Sequence, residues 1–122
     1  MKIRAFEELE IWKTSASLAV RIYNITNKQK FNRDFGLRDQ IRRAVVSVSS
    51  NIAEGFEKNN NKEFVRYLLI SKGSIGEVRS QLYIAEQLDY ITEEEYNTLK
   101  KESLIISSKI KALINYLKTQ LG

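Results

Sequence analysis

The sequence predicts an all-α protein folded as an antiparallel, up-down-up-down four-helix bundle. Three observations predict it. The 122 residues include no proline and only five glycines, whereas sheet-rich and loop-rich folds need many turns built from those two residues. Hydrophobic residues make up 43% and charged residues 29%, a globular balance and not a disordered one. Apolar residues also recur at steps of three and four along four long stretches, the period of an amphipathic helix. The length suits one core, so residues 1–122 are read as a single bundle domain.

The first helix is predicted over residues 8–27, with Ile11, Trp12, Ser15, Ala16, Leu18, Ala19, Ile22 and Tyr23 on its inner face. Glu10, Lys13, Ser17 and Arg21 lie opposite. A polar loop from Asn27 to Gly36 carries Phe31 and Phe35. Helical spacing resumes at Leu37, Ile41, Ala44, Val45, Val48 and Ile52, with Gly55 as the expected C-terminal stop. Asn60 is placed to cap a third helix over residues 62–88, with Glu63 three positions on. Its apolar line is Phe64, Leu68, Ser71, Ile75, Val78, Leu82, Ala85 and Leu88. Thr92 and Glu95 form a capping box for the last helix, with Ile91 and Tyr96 at the staple positions. Leu99, Ile106, Ile110, Leu113 and Leu117 supply that helix's buried stripe.

Composition excludes several kinds of chemistry. The chain has no cysteine, hence no disulfide and no thiolate metal site, and no histidine, hence no imidazole base or ligand. No cofactor or metal is expected, and catalysis is not. The segment Met-Lys-Ile-Arg-Ala-Phe-Glu-Glu lacks an apolar run, and no stretch reaches the roughly 18 apolar residues of a membrane span; the expected location is cytoplasmic. Net charge is +5, with +4 in the first 60 residues and +1 in the remainder. A basic excess of that kind suits an anionic partner, RNA or DNA first.

One polar stripe stands out. Arg43, Ser47, Asn51 and Glu54 step by four, four and three along the second helix, so they share a face. Ser71, Ser74, Glu77 and Gln81 do the same on the third, with Gly73 and Gly76 alongside. Two glycines inside a helix need a reason, and close packing of two helices is the simplest. The expected arrangement is a structural polar layer of Arg43, Ser47, Asn51, Glu54, Ser74, Glu77 and Gln81 between the two helices, with Arg43 or Arg66 paired to Glu54 or Glu77. The competing reading is a pocket in which Glu54 and Glu77 work as a carboxylate pair. Di-iron bundles use Glu-x-x-His motifs, and this chain has no histidine. Lys13, Arg21, Arg38, Arg42 and Arg43 are the candidate nucleic-acid contacts, reaching phosphates without reading sequence. Trp12, Tyr23 and Tyr67 are read as core or interface residues before stacking platforms.

The motifs carry a resemblance. Gln40-x-x-Arg43-Ala44 running into Ser50-Asn51-Ile52-Ala53-Glu54-Gly55, and Gly73-Ser74 followed by Glu77 and Gln81-Leu82, resemble the bacterial four-helix-bundle family of 23S rRNA intervening-sequence proteins. The likeness runs through nearly the whole chain, departing at Ser49, where the family usually has proline. It implies the antiparallel bundle and a ring-like homopentamer. More distantly, the chain is similar to the accessory protein of diversity-generating retroelements, a basic bundle that binds nucleic acid and a reverse transcriptase. The expectation is a non-catalytic homo-oligomer binding structured RNA or DNA in a salt-dependent way. The alternative is a scaffold that docks a protein partner on exposed aromatic residues.

Overall fold

The computed structural model describes residues 2–120. A 3-10 turn at Phe6–Glu8 leads into α1 (Glu10–Thr26), a one-turn α2 (Gln29–Arg33), α3 (Phe35–Glu57), α4 (Asn61–Gln87) and α5 (Glu93–Thr119). The described residues contain no strand. The helices pack as a cycle, α1 on α3, α3 on α4, α4 on α5 and α5 back on α1. Between α3 and α4 the cross-contacts Gln40 to Gln81 and Ser47 to Ser74 run in opposite senses along the two helices. Between α1 and α5 the ion pairs Arg21–Glu102 and Lys28–Glu95 do the same. Both pairs are therefore antiparallel.

The core comes from the predicted stripes. Ile22, Ile41, Val45, Val48, Ile52, Leu68, Ile75, Val78, Leu82 and Ile110 are fully buried. Two serine hydroxyls that face this core bond within their own helix. Ser15 Oγ donates to the Ile11 carbonyl at 2.6 Å and Ser103 Oγ to that of Leu99 at 2.8 Å. Ser71 Oγ donates across the interface to the Val48 carbonyl at 2.7 Å, so a buried hydroxyl also ties α4 to α3.

Several boundaries differ from expectation, each for a local reason. The Asn27–Gly36 segment is not simply a loop: α2 forms within it because Phe31 inserts completely into the core, stacked on Tyr90 at 5.4 Å. Asp34 then caps α3, its Oδ1 accepting from the Leu37 amide at 3.1 Å while Oδ2 accepts from Tyr90 Oη at 2.9 Å. One carboxylate thus starts a helix and ties it to the α4–α5 turn. The hydrogen bond to Asp34, followed by burial, raises the Tyr90 phenol above its ordinary value.

Gly55 does not stop α3. The helix continues to Glu57, and the left-handed residue that turns the chain is Asn59, at φ 54°, a conformation asparagine tolerates. Gly55 is small for a different reason. A Cβ there would lie 2.7 Å from Tyr67 Cβ and 3.0 Å from Phe64 Cδ1, so α4 crosses α3 against its backbone. Leu88 leaves the core line because it is the C-cap of α4, beside Asp89 at φ 60°, and it is 48% exposed. In α5 the buried position is Ile114, with Leu113 half-buried. Tyr23 lies outside the α1 core face and is exposed. Asn60 and the Thr92–Glu95 box do cap α4 and α5.

Candidate functional site

The polar stripe of α3 and α4 opens a groove of about 230 Å3 lined by Gln40, Arg43, Ala44, Ser47, Ser74 and Glu77. Its centre is closed by hydroxyls. Ser47 and Ser74 share a hydrogen bond at 2.9 Å, and Asn51 Nδ2 donates to both the carbonyl and the hydroxyl of Ser47. Gln81 lies beneath, with its Nε2 directed at Gln40 Oε1 and Glu77 Oε2 at 3.3 and 3.4 Å. Two acceptors converging on that nitrogen fix the amide's orientation, and Gln81 Oε1 is left buried without a partner. These residues make a hydrogen-bonded seam.

Of the charged members of the stripe, only Glu77 reaches the seam, through its contact with Gln81. Arg43, Glu54 and Glu77 are exposed, and the expected cross-helix ion pair is absent: Arg66 pairs with Glu63 on its own helix at 3.0 Å. That contact holds the Glu63 carboxyl below its ordinary value. Exposed cations and carboxylates keep their hydration, so the buried pair foreseen from the spacing is not needed. Nor do Glu54 and Glu77 share a site, because the groove contains Glu77 without Glu54. Among the described residues no cluster of acidic side chains is set to hold a metal ion.

The five candidate nucleic-acid contacts divide into two groups. Arg42 is bound within the subunit: its Nε donates to Thr26 Oγ1 at 2.8 Å, one Nη donates to Asn27 Oδ1 at 3.0 Å, and its plane covers Tyr23 at 4.6 Å. Arg38 likewise holds Asp39 and Asn32 and lies over Phe35. Arg21 pairs with Glu102 beside a pocket between α1 and α5. Lys13 and Arg43 are exposed and have no hydrogen-bonding or ion-pairing partner among the described residues. Of the aromatics, Trp12 packs on Phe6 at 5.1 Å, and the cations of Lys58 and Arg66 lie 5.5 and 4.6 Å from the centre of the Tyr67 ring.

The surface that the spacing did not single out is the outer face of α4. Leu69, Ile70, Tyr83 and Ile84 are 51%, 44%, 53% and 43% exposed. Gly73 and Gly76 lie among them, and a Cβ at either would meet nothing within 4 Å. The two glycines are therefore not used for packing inside the subunit, although each costs about 1 kcal/mol of helix stability relative to alanine. The signal was present in the sequence: α4 carries apolar residues off its core line as well as on it, whereas a helix needing only one covered face is polar elsewhere.

What the described residues offer is a basic exterior, a polar groove between α3 and α4 and an apolar ridge on α4. The chain belongs to the 23S rRNA-intervening sequence protein family, whose model matches residues 7–112. It is also similar to a protein of unknown function from the S23 ribosomal protein family of Bacteroides thetaiotaomicron VPI-5482, solved by crystallography. The two share 25% identity over 85% of this chain and 97% of that one, with a TM-score of 0.79. No curated protein matches the chain.

Proposed function

We propose that this protein is a non-catalytic homo-oligomer that binds structured RNA or DNA electrostatically, with little preference for sequence. The observation that carries the reading is an imbalance. Of 20 basic side chains, four form ion pairs with carboxylates among the described residues, and most of the others stand exposed to solvent. A +5 subunit repeated in an assembly multiplies that field, and weak phosphate contacts then add by avidity. The arginines held inside the subunit serve the fold; Lys13 and Arg43 are free to meet phosphate. Membership of a family named for an insertion in 23S rRNA agrees with a nucleic-acid partner.

A second reading, a scaffold that docks a protein partner, is favoured by the apolar ridge of α4. One experiment separates them. The solution mass is measured by light scattering with and without a structured RNA and a duplex DNA, at about 50 mM and about 500 mM salt. Complex formation at low salt that vanishes at high salt supports nucleic-acid binding. An assembly that ignores both ligands at low salt overturns it and leaves the scaffold.

A further inference from the structure

We infer that the outer face of α4 is the contact between copies of this chain, with the α4 helices of neighbouring subunits running parallel about a common axis. This rests on the oligomeric reading and assigns it a surface. Leu69, Gly73, Gly76, Ser80 and Tyr83 follow one another at steps of four, three, four and three, the alternation of a helix–helix seam. Leu69 and Tyr83 at its ends are half exposed. At its middle the glycines face open space, so a second backbone can approach there as no larger residue would allow.

The flanks of the seam indicate that the occupant is another copy. Lys72 and Glu77 border it on opposite sides, roughly 140° apart around the helix; among the described residues neither forms an ion pair, Glu77 accepting only a long hydrogen bond from Gln81. In parallel helices a residue just before the seam on one chain meets the residue five positions later on its neighbour. Lys72 of one copy therefore meets the neighbour's Glu77. The same ridge in an antiparallel pair brings like flanks together, placing Glu77 near its own copy, and gains nothing from Lys72. A parallel contact repeats around a closed ring and so accommodates different subunit numbers.

The test is the mass of charge-reversal variants in solution at low salt. Lys72→Glu and Glu77→Lys are each expected to shift the assembly to monomer at concentrations where the unaltered protein is assembled. The double variant Lys72→Glu/Glu77→Lys restores the mass. Gly76→Glu, at a position where an added Cβ meets nothing within 4 Å, is expected to stay folded by circular dichroism and become monomeric. An unaltered protein that is itself monomeric overturns both this contact and the oligomeric reading. An assembly indifferent to the single reversals, or a double variant that remains monomeric, overturns the contact alone.

Discussion

Three glycines in two helices separate the requirements of the fold from those of the surface. At Gly55 a methyl group would collide with Tyr67 and Phe64 across the α3–α4 contact. Gly55→Ala is expected to lower stability by about 1–3 kcal/mol, the usual cost of overpacking. Gly73→Ala and Gly76→Ala face no neighbour and are expected to raise subunit stability by about 0.5–1 kcal/mol each through helix propensity. Urea unfolding of the three variants checks the pair of signs; a loss at Gly73 or Gly76 would mean that packing in the subunit does depend on them. Adjacent arginines diverge in the same way. Arg42→Ala removes three hydrogen bonds, to Thr26, Asn27 and the Tyr23 carbonyl, and the cover over Tyr23 and is expected to destabilise by about 1–2 kcal/mol. Arg43→Ala, an exposed site, stays within about 0.5 kcal/mol. Sequence spacing puts both on one helix and says nothing about which one the α1 C-terminus will engage.

The helices themselves were legible because each declares its own start or face. Asn60 and Thr92 satisfy the first free amides of α4 and α5 as their side chains require, and the buried stripes follow from periodicity. What was hidden needed tertiary information: α2 exists because Phe31 finds the core, and α3 runs past Gly55 because its carbonyls still have partners as far as Asn59. The α5 start also carries a pH response. Partial burial pushes the Glu95 carboxyl up, but its bond from Lys28 and those within the Thr92 box outweigh this and hold it below the ordinary value. A carboxyl depressed in the folded state stabilises above its unfolded value, and that contribution is lost as pH falls through the folded one. Unfolding free energy is therefore expected to fall as pH drops below the ordinary carboxylate range. Glu95→Gln is expected to flatten part of that fall, measured by urea titration across acid pH; an unchanged slope would remove Glu95 from the account.

For the whole molecule the question is where charge and apolar surface are left unspent. The core line of α4 was legible, but its exposed ridge was masked because an apolar residue in a helix is read first as core. The Arg43-to-Glu54 stripe was legible as a shared face, yet which members would bond across to α4 depended on reach: Ser47 and Asn51 are short enough to join the seam, while Arg43 extends to solvent. That division makes the salt dependence of nucleic-acid binding a residue-level test of the whole surface. Each phosphate neutralised by a free cation contributes roughly one unit to the slope of log affinity against log salt. Lys13→Ala and Arg43→Ala are expected to lower that slope while leaving thermal stability unchanged. Arg21→Ala, whose charge is already balanced by Glu102, is expected to leave the slope in place. Titrations of a labelled structured RNA over a salt series read the three slopes directly. Equal losses for all three would mean that the Arg21–Glu102 pair opens on binding; no loss for any would move the contact surface away from α1 and α3, toward the lysines exposed on α5.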